Sequence, residues 1–264
     1  MSDPVELKEF LRWEPEYPDP LIGGGLLYAE GKAIVYGRYK VGKSMLAMNI
    51  GLSIADGQPI LGFPTTPLGA SVLYLQLEMP KVLLHKRQKK LWSGWRQGED
   101  LEVMTKQPIH YWTEPFLKLN RPDGLAVLER RMAEFKPTVL IIDPIYKIMQ
   151  GGIRDSDQVG ALLDSLDKMI ANHNCAVILV GHTRKSAFEE ETEWGSDDLI
   201  GSVLFSAWAD TIIKVAKKGG QANRDILQFN FDVVRNAEDL LEPKEVLFDR
   251  TTLMFREVSQ LVVT

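Results

Sequence analysis

Eight consecutive residues, Gly37-Arg38-Tyr39-Lys40-Val41-Gly42-Lys43-Ser44, carry the most specific chemistry in this chain. Two glycines followed by a lysine and a hydroxyl are the residue types that wrap a phosphate chain. Gly37 and Gly42 let the backbone turn tightly and bring its N–H groups against phosphate oxygens. A helical pattern over residues 44–55 follows, so Ser44 and Met45 sit where a helix N-terminus adds its positive dipole end. Lys43 can reach β- and γ-phosphates, and the Ser44 hydroxyl can reach Mg2+. An apolar run, Ala33-Ile34-Val35-Tyr36, precedes the glycines. Strand, loop and helix in that order predict that residues 37–45 bind a nucleoside triphosphate.

Three further polar residues end apolar runs. Asp143 follows Val139-Leu140-Ile141-Ile142, and an acid there can hold Mg2+ directly or through water. The alternative is an aspartate capping a turn before Pro144. Glu78 follows the run 71–77 and can accept a proton from the water that attacks a γ-phosphate. It can equally be a carboxylate favoured by the helix dipole beside Pro80. His182 follows the run 176–181 and can sense the γ-phosphate, passing its loss to the next loop. A structural, hydrogen-bonded histidine is the other reading.

The elements that must position these groups alternate. Strands are predicted at 33–36, 71–77, 109–113, 138–142, 176–180 and 211–215. Helices are predicted at 44–55, 80–95, 123–135 and from Asp155 or Ser156 to His173, with Pro80 in a first turn. Such alternation predicts an α/β fold with right-handed crossovers and a mostly parallel sheet flanked by helices. Ligands of such sheets sit at the carboxyl ends of strands, where all the groups above fall. Beyond Lys217, alternating residues predict strands at 225–234, 245–248 and 253–257, an antiparallel extension on the sheet edge. Residues 1–30 are expected to form an N-terminal arm. It holds a short helix over 5–12, then Pro15, Pro18 and Pro20, then Gly23-Gly24-Gly25. Residues 31–264 are expected to form one domain.

Bulk properties narrow the class. The 264 residues are 45% hydrophobic, which suits a globule with a real core. A net charge of -5 gives no global signal for nucleic acid, though a basic patch can sit on an acidic protein. The single cysteine, Cys175, excludes an intramolecular disulfide and a multi-cysteine zinc site. The first 16 residues are charged and lack an apolar signal region, and no apolar run approaches the roughly 20 residues of a membrane span. A cytoplasmic protein without membrane association is expected.

Taken together, these segments resemble the RecA-like P-loop ATPase core, in the branch of the DnaB-type replicative helicases and the hexameric RepA-type plasmid helicases. Residues 37–44, 75–80, 140–143 and 177–182 carry the resemblance. Asp198-Leu199-Ile200-Gly201-Ser202 through Ala209-Asp210-Thr211 adds to it. The whole spans residues 20–257. The resemblance implies ATP and Mg2+ as ligands, Glu78 as catalytic base, Asp143 as the metal-site acid and His182 as γ-phosphate sensor. It implies a homo-oligomer, a hexameric ring, in which a neighbour supplies an arginine finger from a K-x-R pattern. The matching stretch here is Val233-Val234-Arg235, with the lysine replaced by Val233. Arg235 is the finger candidate and Arg224 the fallback; a solvated edge-strand arginine is the competing reading of Arg235. Single-stranded DNA is the implied partner, with primase or replication-initiation proteins beyond it.

Charge qualifies the DNA expectation. In such helicases the loops after the metal-site strand and the sensor strand face the pore; here these are residues 151–157 and 183–198. The second has six acids (Glu189, Glu190, Glu191, Glu193, Asp197 and Asp198) against Arg184 and Lys185, whereas a loop that tracks phosphates should be positive. Trp194 offers a stacking face, or packing. Lys81, Lys86, Arg87, Lys89 and Lys90 form the strongest basic cluster, which can meet nucleic acid, an acidic neighbour or water. The expected activity is Mg2+-dependent ATP hydrolysis driving a helicase-like DNA motor in replication or recombination. The rivals are an ATP-gated regulatory or loading protein of the same fold and, further off, a P-loop phosphotransferase.

Overall fold

Aliphatic and β-branched runs form the middle of the sheet because both of its faces are covered. A computed structural model describes residues 4–15, 20–96, 105–150, 156–183, 203–221 and 223–258. In chain order the elements are α1 (Leu7–Arg12), β1 (Lys32–Gly37), α2 (Lys43–Asp56), β2 (Val72–Gln76), α3 (Lys81–Trp95), β3 (Ile109–Thr113), α4 (Pro122–Phe135) and β4 (Val139–Asp143). A 3-10 turn (Ile145–Lys147) follows, then α5 (Ser156–His173), β5 (Ala176–Val180), α6 (Val203–Trp208), β6 (Thr211–Gln221), β7 (Arg224–Val234), β8 (Lys244–Asp249) and β9 (Met254–Glu257). The pore-facing candidates at 151–155 and 184–198, with Arg184, Lys185, Trp194 and the acidic run, lie outside the described residues, as does the segment 198–202.

The strands make one sheet in the order β3-β2-β4-β5-β1-β6-β7-β8-β9. β3 through β6 pair in parallel, and β6 through β9 pair antiparallel. The expected α/β core with an antiparallel β extension is therefore what forms. β6 is the seam, parallel to β1 on one side and antiparallel to β7 on the other.

Alternate residues of each central strand feed two separate cores, as the two-residue period of a strand requires. Val35, Val72, Tyr74, Ile141 and Ile178 pack toward α2 and α3. Tyr36, Leu73, Leu75, Leu140 and Leu179 pack toward α4, α5 and α6. α2 is buried on nearly every side, because the β8–β9 hairpin closes over it. Buried Asn49 fixes that closure, donating from Nδ2 to the Leu253 carbonyl at 2.9 Å. Leu21, Ile22, Leu26 and Leu27 also enter this core, and Ile22 bridges to Leu27 and Thr65. The short helix α1 buries none of its residues.

Candidate nucleotide site

The loop between β1 and α2 adopts the strained backbone its sequence allows. Gly42 sits at φ 90°, and Lys40 at φ 64°. The first depends on glycine's missing Cβ. A Cβ at Gly37 would lie 2.4 Å from the Val215 carbonyl of β6, so glycine is required there for close strand approach. α2 starts at Lys43, leaving its first N–H groups without partners inside the helix and pointing into the loop. Lys43 is buried and its ammonium donates to the Arg38 carbonyl at 2.6 Å. Burial lowers its pKa to about 8, against the opposing pull of Asp143 and Glu78.

Parallel pairing brings the other groups alongside. Gln76 and Asp143 are register partners at the carboxyl ends of β2 and β4. Asp143 is 2% exposed and accepts three side-chain hydrogen bonds. They come from Ser44 Oγ (3.1 Å), Tyr74 OH (2.7 Å) and Gln76 Nε2 (3.1 Å). Burial raises its carboxyl above the ordinary value, and these three donors act the other way. Gln76 faces both directions. Its Oε1 accepts the backbone N–H of Glu78 at 2.9 Å and of Met79 at 3.2 Å, linking the acid of β4 to the turn carrying Glu78.

His182 is held beside the loop by the backbone. Gly181 N–H donates to Val35 and Thr183 N–H to Gly37. Burial, then the nearby Lys43 charge, lowers its pKa to about 4, so the ring is neutral at pH 7. Tyr39 and Tyr146 flank it, with centroids at 5.9 and 5.4 Å. A cavity of about 570 Å³ joins these groups, lined by Tyr39, Lys43, Ser44, Glu78 and His182 among others.

Lys40, Gly42, Lys43, Ser44 and Met45 from the loop thus meet Glu78 and His182 around one space, and Asp143 reaches its edge through Ser44. Arg235 is not among them. It follows β7 at the amino end of the parallel strands, where its Nη2 donates to the Ala207 carbonyl at 2.5 Å and its Nη1 lies 3.8 Å from Asp210. Arg224 starts β7, opposite Gln221 and Asp249. Tyr74, Gln76, Arg87, Tyr146, Phe248, Arg250 and Leu253 are site residues that the motifs did not single out for it. Only Tyr74 and Gln76 left a signal: polar groups inside a buried strand must find partners.

Among the described residues no cluster of three or more His, Cys, Asp or Glu could hold a metal alone. One hydroxyl and one carboxylate, 3.1 Å apart beside a phosphate loop, suit a Mg2+ ion whose remaining ligands are phosphate and water. No described helix is long and apolar enough to cross a membrane.

A family model described as "AAA domain" matches residues 2–187. A solved ATPase domain superposes with a TM-score of 0.65 at 14% identity, covering 88% of this chain and 86% of that one. A DnaB-like replicative helicase, solved with its interactions with primase, gives a TM-score of 0.65 at 14% identity. That match covers 86% of this chain and 57% of the helicase, so the chain spans a little over half of that protein. A KaiC-like protein of Pyrococcus horikoshii OT3 gives 0.59 at 12% identity, covering 90% and 98%. At such identities the likeness establishes the fold, a RecA-like P-loop core like that of the DnaB-like helicase. No curated protein matches by sequence.

Proposed function

The chain belongs to the AAA domain family, and we propose that it is a Mg2+-dependent ATPase working as a helicase-like, hexameric DNA motor in replication or recombination. The observation that carries the ATPase reading is the convergence of Lys43, Ser44, Glu78 and His182 on one cavity beside Asp143. The motor reading is supported by the fold shared with a DnaB-like helicase.

Each residue has a role that its surroundings suit. The loop N–H groups and Lys43 hold the triphosphate and offset its charge. Ser44 and Asp143 would hold Mg2+, which would supply positive charge to offset that of the triphosphate. Glu78 takes the proton of the attacking water. Neutral His182 can donate from one ring nitrogen and accept at the other, which suits a sensor of the γ-phosphate. Arg235 lies far from this chain's own cavity and has a half-exposed side chain, as a group offered to a neighbouring copy would.

The test is the steady-state ATPase rate with and without single-stranded DNA at two salt concentrations. Stimulation that weakens as salt rises is expected, since phosphate contacts release counterions. Glu78→Gln should keep ATP binding while kcat falls by roughly 100- to 10,000-fold. Parent-level hydrolysis by that variant would reject the base assignment. A second reading, an ATP-gated regulatory or loading protein, is favoured by the acidic composition of residues 183–198. Normal basal hydrolysis that ignores DNA at every salt would select it.

A further inference from the structure

We propose that Arg250 binds the nucleoside end of the triphosphate, and that Asp225 is the positioning residue that aims its guanidinium. This rests on the reading of the cavity as a nucleotide site. A triphosphate held by Lys43 and Ser44 turns its γ-phosphate toward Glu78 and His182, so its nucleoside extends the other way along the cavity. The lining there is Phe248, Arg250 and Leu253 of the β8–β9 hairpin. Asn49 fixes that hairpin one turn past the loop: its Nδ2 donates to the Met45 carbonyl at 2.7 Å and to the Leu253 carbonyl at 2.9 Å. Two apolar side chains and one planar cation suit a base and ribose, since a guanidinium stacks on aromatic rings and donates from its edge.

Arg250 is firmly seated. Asp225 of β7 is buried, and its Oδ2 accepts from Arg250 Nε at 2.7 Å and Nη2 at 2.6 Å. Its Oδ1 meets the Lys217 ammonium of β6 at 2.8 Å. Two cations on one carboxylate leave an excess positive charge at this wall, which suits an anionic ligand. The backbone is held as well. Arg250 N–H donates to the Asn223 carbonyl and Leu253 N–H to the Asp249 carbonyl, both at 2.7 Å. Phe248 stacks on Phe255, with centroids 4.7 Å apart. The Asp225 clasp engages Nε and Nη2 and leaves the Nη1 donors for a ligand. An arginine free to rotate loses that freedom on binding, whereas one already clasped loses little.

Arg250→Gln should raise KM for ATP roughly tenfold with kcat unchanged, as loss of a contact made equally in the ground and transition states does. The inhibition constant of tripolyphosphate, which carries no nucleoside, should stay at the parent value. Asp225→Asn should raise KM for ATP by a similar factor, and the double variant should be no worse than Arg250→Gln. Arg250→Lys keeps the charge but cannot make the two-pronged contact, so its KM should stay raised. An unchanged KM in Arg250→Gln, or equal weakening of ATP and tripolyphosphate, would overturn the nucleoside contact. Parent KM in Arg250→Lys, or in folded Asp225→Asn, would overturn the positioning role of Asp225; the lysine variant decides this even where Asp225→Asn does not fold. If the parent binds neither ATP nor tripolyphosphate, the nucleotide reading falls and this proposal falls with it.

Discussion

His182 shows how the site stores a charge preference in a single ring. In the unfolded chain its pKa lies near the ordinary value of 6.5, and in the fold burial lowers it to about 4. Between these values the unfolded state binds the proton and the folded state does not, so stability is lost as pH falls from about 6.5 to about 4. His182→Asn should flatten that part of the stability curve in denaturant titrations across the range. An unchanged slope would mean that other groups set it. The same residue marks the limit of what sequence reveals at this scale. Lys43, Ser44, Asp143, Glu78 and His182 were legible because each sits in or directly after a short motif whose geometry is local. Tyr146 and Arg250 were not, because only a turn and a hairpin carry them there. Arg250 reaches the cavity wall clasped by Asp225 through Nε at 2.7 Å and Nη2 at 2.6 Å, a pairing that no spacing rule announces.

Among the elements, α3 and the β8–β9 hairpin form the cavity's outer walls and touch where one small residue lets them. A Cβ on Gly94 would come within 2.6 Å of Thr252 Cβ and 3.1 Å of Met254 Cγ. Gly94→Val should push the hairpin off the helix and lower stability by about 1–3 kcal/mol, the usual cost of overpacking. A thermal melt measures it; an unchanged midpoint would show that the hairpin shifts without cost. Element boundaries were legible where burial dictates composition. Val139–Asp143 and Ala176–Val180 read as strands because both faces are covered. Two elements escaped. α6 has six residues, too few to display a helical period. The second half of β6, Lys217-Lys218-Gly219-Gly220-Gln221, is polar and glycine-rich, and becomes a strand only through pairing with β7. In the other direction, α1 begins at Leu7, two residues inside the expected 5–12 helix.

For the whole molecule, the question is whether one copy suffices. Arg235 lies at the opposite end of the strands from this chain's own cavity, so a role in catalysis requires a second copy. Lys43→Ala and Arg235→Ala should each be nearly inactive alone, the first for want of a phosphate ligand and the second for want of a finger. Mixed, they should recover part of the parent rate, because some interfaces then join an intact Lys43 to an intact Arg235. No recovery under conditions where subunits exchange would remove Arg235 from the mechanism. Sedimentation of the same mixture gives the number of copies.

β6 gives this arrangement a mechanical consequence. Val215 of β6 pairs with Gly37 at the mouth of the phosphate loop, while Asp210, just before the strand, receives the backbone N–H of Arg235. At about 3.3 Å per residue the two anchor points are roughly 16 Å apart along one inextensible backbone. A strand bonded on both sides behaves as a strut rather than a spring. A tilt imposed at one end must therefore reappear at the other with little loss, so that each copy in a closed assembly would serve as the linkage between its two neighbours.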